Sequence, residues 1–116
     1  MATESEHKQQ ARHNQTFLGT IDANHFPDWV ATVAFYEAVH LIEMFFAHKV
    51  LYPGGSHTKR NNVLKRSYPA IWKDYRPLYA FSRLARYWCM KVTPENADYI
   101  RKRLRRVEEA INRLTA

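Results

Sequence analysis

The chain has 116 residues, the length of one ordinary domain, so residues 1–116 are expected to fold as a single unit around one core. Its single cysteine, Cys89, excludes an internal disulfide, and the N-terminal segment lacks the apolar stretch of a secretory signal, which favours a cytoplasmic location. Eighteen Lys and Arg against eleven Asp and Glu give a net charge of +7, which fits either an anionic partner or an ordinary basic domain.

Helices are the only regular elements that the sequence predicts. The chain contains three glycines, and no stretch alternates polar and apolar residues over the length of a strand. The first helix is expected at residues 4–20, with a thin apolar stripe made of Ala11, Phe17, Leu18 and Ile21. Residues 22–29 (DANHFPDW) break it, and Pro27 suits the first turn of the next helix because its missing N–H costs nothing there.

The second helix, expected at residues 27–51, is predicted to form the core. Its apolar half consists of Ala34, Phe35, Ala38, Leu41, Ile42, Phe45 and Phe46. Its other half carries Tyr36, Glu37, His40 and Glu43. The segment has the length of a membrane span, but the glutamates and the histidine each cost about 2 kcal/mol or more in lipid, so no membrane is expected.

His40 is expected inside the bundle, near Tyr75 or Arg86. It lies in the middle of the longest predicted helix, on a polar stripe between two apolar flanks. Such a stripe has to meet another helix rather than solvent.

Residues 51–57 (LYPGGSH) form the clearest loop of the chain. Its proline and two glycines are expected to end the second helix. Either Ser56 or Thr58 can cap a short third helix, predicted at residues 58–67.

The first turn of this third helix carries a cationic pair, His57 and Arg60, which lie three residues apart. Two interpretations stay open. Beside unpaired backbone N–H groups at a helix start, the pair could bind an anion. It could instead be a buried hydrogen-bonding link between helices, with Tyr36, Tyr75 and Ser82 as partners.

The fourth helix is expected at residues 69–90, with a kink or break near residue 76 because Pro77 lacks a backbone donor. Its inward positions are Ile71, Tyr75, Leu78, Ser82, Ala85 and Cys89. The fifth helix opens with Thr93 as its cap and Pro94 at its first position. Its apolar seam consists of Ala97, Ile100, Leu104, Val107, Ile111 and Leu114.

Positive charge is concentrated in the second half of the chain. Residues 1–56 carry three Lys or Arg against six Asp or Glu, whereas residues 57–116 carry fifteen against five. Six basic residues could line a groove for phosphates: Lys59, Lys65, Arg66, Lys73, Arg76 and Arg83. Trp72, Tyr79 and Trp88 could stack bases there, although aromatic residues at helical spacing are also typical of a core. No sequence-specific nucleic-acid reader is present.

Three segments of the chain form a combined pattern: WVATVAFYEAVHLIEMFFA, SHTKRNN and IWKDYRPLYAFSRLARY. The positions that carry it are Phe35, Tyr36, His40, Ser56, His57, Arg60, Tyr75, Leu78, Ser82, Ala85, Arg86 and Tyr87. Over residues 12–88 this resembles a bacterial branch of the HEPN superfamily, the nucleotide-binding helical domains of higher eukaryotes and prokaryotes. The resemblance implies a four- or five-helix up-and-down bundle, often dimeric. Activities in that superfamily range from metal-independent RNA cleavage in toxin and defence systems to binding modules without catalysis.

The chain departs from the nuclease members of that superfamily, which share an arginine followed by four to six residues and a histidine. No arginine here has a histidine at that distance downstream, so the standard catalytic motif is absent. A displaced catalytic set remains an alternative. His57, Arg60, Arg86 and His40 could supply the base, the cation and the acid that metal-independent RNA cleavage needs.

Two Glu-x-x-His pairs, Glu4 with His7 and Glu37 with His40, have the spacing found in di-iron helical bundles. Those sites also need a glutamate from each of two further helices, and the predicted third and fourth helices contain none. We therefore expect no metal and no cofactor.

The sequence thus predicts an all-α, HEPN-like bundle that forms a homodimer and acts in an RNA- or nucleotide-related role. A toxin or defence module, with an antitoxin as its protein partner, is one setting that the resemblance implies. Binding is favoured over catalysis, with little sequence preference, and a metal-independent endoribonuclease is the alternative.

Overall fold

The computed structural model describes residues 2–89 and 91–116, and these residues form five α-helices without a strand. The helices are α1 (Glu4–Leu18), α2 (Pro27–His48), α3 (His57–Ser67), α4 (Pro69–Tyr87) and α5 (Pro94–Thr115). The predicted all-α class and the predicted number of helices are therefore confirmed.

Helix α2 lies at the centre of the bundle and contacts α1, α4 and α5. Helix α4 also packs against α3 and α5, whereas the backbones of α1 and α5 do not come close to each other within the described residues. Apolar side chains cover most of the circumference of α2, which allows three helices to pack on it at once. Those without exposed surface are Val30, Ala34, Phe35, Ala38, Ile42, Phe45 and Phe46.

By length and composition alone, α2 (Pro27–His48) could cross a membrane. In the structure, 67% of its most apolar window is buried against the rest of the chain. This burial is typical of the core helix of a compact globule.

Side-chain caps begin three of the helices, as the sequence predicts for two of them. Thr3 and Glu6 form a reciprocal capping box at α1, and Thr93 and Asn96 form another at α5. Ser56, rather than Thr58, caps α3: its hydroxyl accepts the Lys59 N–H at 3.1 Å. Helix α3 therefore begins at residue 57, so His57 and Arg60 lie in its first turn, as the sequence predicts.

Helix α2 ends three residues earlier than expected, at His48, and Val50 rather than the glycine pair accounts for its end. Val50 has a φ of 56°, in the left-handed region. Its N–H donates to the Ala47 carbonyl at 3.1 Å, and the Leu51 N–H donates to the Phe46 carbonyl at 2.8 Å. This is the hydrogen-bond pattern of a Schellman motif. Because β-branched residues rarely adopt this conformation, no sequence rule indicated this end.

Some predicted core positions are wrong. Phe17 is 54% exposed, since α1 packs its backbone against α2 alone and buries a narrow face. Cys89 is exposed because α4 ends at Tyr87. Residue 90, where the sequence predicted the end of this helix, lies outside the described residues. Leu114, in the last turn of α5, is also exposed. Pro77 lies within α4 without breaking it.

Glu37 is buried in the bundle, although the helical wheel places it on the polar half of α2. Only 2% of its surface is exposed, and its Oε1 atom has no hydrogen-bond partner. Burial, assisted by the negative charge of Glu108 and opposed by Arg101, raises the pKa of Glu37 to about 7. This carboxyl group therefore keeps its proton to a higher pH than an exposed glutamate does.

Glu37 should make the stability of the protein fall with rising pH. Because its pKa in the folded chain lies above its ordinary value of 4.5, the folded state binds the proton more tightly. The stabilisation is complete below pH 4.5 and is lost as the pH rises through about 7, amounting to about 3 kcal/mol. In Glu37→Gln this component disappears. Urea unfolding of both proteins between about pH 4.5 and 8 measures the difference, and parallel profiles would contradict it.

Candidate functional site

Arg60 connects α3 to α2. It is only 4% exposed, its Nε donates to Glu43 Oε1 at 2.8 Å, and its Nη1 donates to His57 Nδ1 at 2.9 Å. The hydroxyl of Tyr75 is buried beside this guanidinium without meeting hydrogen-bond geometry, and burial raises the pKa of Tyr75 to about 12. The buried link that the sequence left open is therefore present at Arg60, with Glu43 as its unforeseen partner.

His57 has a defined protonation state in this arrangement. A guanidinium can only donate, so Nδ1 of His57 accepts, and the neutral ring carries its proton on Nε2. Burial first, and then the charges of Arg60, Arg86 and Arg83, lower the pKa of His57. At neutral pH this side chain is an uncharged imidazole.

Phe35 forms the floor between His57 and Arg86. Its ring centroid lies 5.5 Å from that of His57, and the guanidinium of Arg86 lies 5.2 Å from the Phe35 ring. The Tyr79 ring contacts both, with its centroid 5.8 Å from that of His57 and 5.9 Å from that of Phe35. Two predicted site residues that are 29 positions apart in sequence thus pack on one aromatic ring.

Arg86 is half-buried and held by α2 and α4 together. Its Nη1 donates to the hydroxyl of Tyr36 at 2.8 Å, and its Nε donates to the Ser82 carbonyl at 3.3 Å. The guanidinium also lies over the rings of Tyr36 and Tyr87, at 5.3 and 4.8 Å. Tyr36 and Ser82, which the sequence suggested as partners of a link at His57 and Arg60, bind Arg86 instead.

One face of α4 alternates aromatic and basic side chains at helical spacing: Trp72, Arg76, Tyr79, Arg83, Arg86 and Tyr87. We call this set, with Tyr36 of α2, the α4 surface. Arg83 lies over the rings of Tyr79 and Tyr87, at 5.7 and 5.5 Å. Lys65 of α3 extends the pattern, with its Nζ 5.3 Å from the Trp72 ring. Tyr36 and Tyr87 are 40% and 63% exposed, so their rings remain available to a ligand.

The remaining basic candidates are less organised. Arg66, Lys73 and Arg76 are exposed. Lys59 lies over Gly54, where an added Cβ would come within 3.0 Å of the lysine Cδ. The structure therefore gives aromatic partners to Lys65 and Arg83, and leaves the other four predicted phosphate-binding residues on the surface or against the loop.

His40 was expected inside the bundle near Tyr75 or Arg86, but it is only half-buried and meets α1. Its Nδ1 lies 3.1 Å from Nδ1 of His7. Burial first, and then the charges of His7 and Arg60, lower its pKa, while Glu43 opposes them. The helical wheel places His40 on a polar stripe of α2, but it does not show that α1 covers this side of the helix.

The Glu-x-x-His pairs do not build a metal centre within the residues that the structure describes. Glu4 pairs with His48, at 3.2 Å between Oε2 and Nδ1, while His7 meets His40. Across residues 2–89 and 91–116, no three His, Cys, Asp or Glu side chains are grouped so that they could hold an ion.

The comparisons with known proteins identify no relative. The chain matches no protein-family model, no curated protein and no solved structure. The resemblance to HEPN domains thus depends on the quoted residues, and the functional argument depends on the geometry of the site.

Removing Arg60 should break the link between α2 and α3 and destabilise the protein. Arg60→Ala leaves the Glu43 carboxylate and the His57 ring without a partner, and we expect a loss of about 3 kcal/mol in unfolding free energy. A double-mutant cycle with Glu43→Ala should give a coupling of about 1–3 kcal/mol.

Arg66→Ala is the matched control for this link, because Arg66 is exposed on the same helix. Its change should stay within about 0.5 kcal/mol. Equal effects of Arg60→Ala and Arg66→Ala in urea unfolding would show that the ion pair does not hold α3.

Proposed function

We propose that the α4 surface binds single-stranded RNA or a nucleotide. The observation that carries the proposal is the pair Arg83 and Arg86, whose guanidinium groups lie over the exposed rings of Tyr36 and Tyr87. Proteins that bind single strands without sequence preference combine the same two components, cations for phosphates and aromatic faces for bases.

The charge of the chain supports this assignment. Apart from Tyr36, the α4 surface belongs to residues 57–116, which carry fifteen basic and five acidic side chains. One of those acidic residues, Asp74, accepts a hydrogen bond from Arg103 of α5 at 2.8 Å and is itself buried. The positive charge of Arg76 and Arg83 is therefore not neutralised by that carboxylate, and it is free to attract phosphates.

Arg60 supports this surface rather than binding the ligand. Its guanidinium is buried and already donates to Glu43 and His57. By holding His57 against Phe35 and Tyr79, it fixes the floor on which Arg86 lies. At the start of α3, the half-buried His57 contacts the α4 surface through the ring of Tyr79.

Metal-independent RNA cleavage is the second candidate, and one observation favours it. His57 is a neutral imidazole near Arg60, Arg86 and Arg83. Because its Nδ1 accepts from Arg60, it could act as a general base only after that hydrogen bond breaks. The full set of four residues does not share one cleft, since Arg60 is buried and His40 pairs with His7. Binding therefore has more support than catalysis.

The homodimer, the antitoxin-like partner and the role in a toxin or defence module belong to the same proposal. Their support is the resemblance to HEPN domains together with the exposed aromatic residues Tyr36, Tyr87 and Trp88, which a second chain could cover. Sedimentation of the purified protein would test the dimer directly.

Charge reversal on the α4 surface should weaken RNA binding for all sequences alike. The assay is fluorescence anisotropy with labelled single-stranded RNA of about 12 nucleotides. In a plot of the logarithm of the wild-type affinity against the logarithm of salt concentration, the slope should be about −0.7 for each neutralised phosphate. Arg83→Glu or Arg76→Glu should lower the affinity about tenfold and make that slope less steep.

Arg12→Glu is the matched control, because it makes the same charge change on α1, which does not contact α4. Its affinity should stay close to that of the wild type. Absence of binding at about 50 mM salt, or an equal loss in Arg12→Glu, would refute the assignment of the surface. Cleavage of the RNA by the wild type but not by His57→Ala would establish the second candidate.

A further inference from the structure

A groove runs between α1 and α5 over α2. Both helices pack on α2 while their backbones stay apart, which leaves a space whose floor is α2. The cavity there has a volume of about 430 Å³, within the usual range for small-molecule sites. A second space of about 380 Å³ continues it towards Leu18 and Arg101. Glu37, Gln15 and Glu108 line both.

The unpartnered carboxyl group of Glu37 faces this groove. Its Oε1 atom is buried and accepts no hydrogen bond, and the residue is 2% exposed. A buried carboxylate that lacks a partner is unfavourable, so it requires a proton or a cation. Glu108, from α5, adds a second negative charge that acts on Glu37.

No side chain of the groove donates a hydrogen bond to Glu37 Oε1, although the charge of Arg101 acts on this carboxyl group. The charged groups that face it are Glu4, Lys8 and Arg12 of α1, His48 of α2, and Arg101, Arg105 and Glu108 of α5. Arg101 donates to the Leu18 carbonyl at 3.2 Å, and His48 pairs with Glu4. Lys8 and Arg12 are exposed on α1. The groove thus contains a buried acceptor without a cationic partner.

We propose that the groove between α1 and α5 binds a small aliphatic amine, with its ammonium group beside Glu37 and Glu108 and its carbon chain along Leu41 and Met44. This goes beyond the RNA-binding proposal and uses none of its residues. An ammonium group supplies three donors to a carboxyl pair, and the apolar side chains of α2 take its alkyl part. A metal ion does not fit, because the described residues offer no group of three ligands.

Binding of an ammonium group should release a proton from Glu37. In the free protein the pKa of this carboxyl is raised to about 7, and a cation beside it favours the ionised form. The affinity for the amine should therefore increase as the pH rises from about 6 to 8. The fixed charges of Lys8, Arg12, Arg101 and Arg105 oppose the ligand at every pH in this interval.

Calorimetric titration with n-butylamine tests the proposal, with 1-butanol as the neutral probe of the same length. The wild type should bind the amine but not the alcohol, and Glu37→Gln should weaken the amine at least about tenfold. Glu109→Gln is the matched control, because Glu109 is exposed on α5 and lines neither space. Titrations in phosphate and in HEPES should differ in heat, because a proton is released on binding.

Absence of amine binding, equal affinities of the wild type and Glu37→Gln, or equal binding of the alcohol would each overturn the proposal. If circular dichroism shows that Glu37→Gln does not fold, the proposal is tested instead with Glu108→Gln and with the pH dependence of amine binding to the wild type. The proposal then requires weaker binding in Glu108→Gln and an affinity that rises with pH, and failure of either result refutes it.

Discussion

The ion pair between Arg60 and Glu43 is the interaction on which the candidate site depends. The backbones of α2 and α3 do not come close to each other, since α3 packs its backbone on α4 alone. The connection from α3 to α2 consists of side chains, namely Arg60 with Glu43 and the His57 ring against Phe35. Because the guanidinium is buried, this connection is short, directional and costly to lose.

The central helix separates two surfaces of different chemistry. Towards α3 and α4 it presents Phe35 and Tyr36, on which Arg86 lies. Towards α1 and α5 it presents Glu37, the next residue in sequence, whose carboxyl group is buried. Adjacent positions on a helix lie about 100° apart, so neighbours in sequence can serve opposite sides of the bundle. One surface carries the guanidinium of Arg86, and the other carries the unpartnered Oε1 atom of Glu37.

The sequence predicts the helices well because their ends carry local signals. The caps at Ser56 and Thr93 are chemistry that a sequence shows directly. It did not predict the end of α2, since Val50 adopts a conformation that valine rarely adopts. Nor did it predict the burial of Glu37 or the partner of His40, because a helical wheel ranks faces by polarity without showing which helix covers each one. The buried link at Arg60 was one of the two interpretations that the sequence left open. Its partner, Glu43, was not predicted.

The central claim is that Arg83 and Arg86 contact the RNA, whereas Arg60 only supports their surface. Mapping of ¹H–¹⁵N chemical shifts during titration with single-stranded RNA tests this claim most directly. The predicted result is a set of changes along α4, together with the side-chain Nε signals of Arg83 and Arg86 and the backbone of Tyr36. The Nε signal of Arg60, which donates to Glu43, should keep its position. Changes confined to α1 and α5, or a large shift of the Arg60 Nε signal with none at Arg83 and Arg86, would contradict the account.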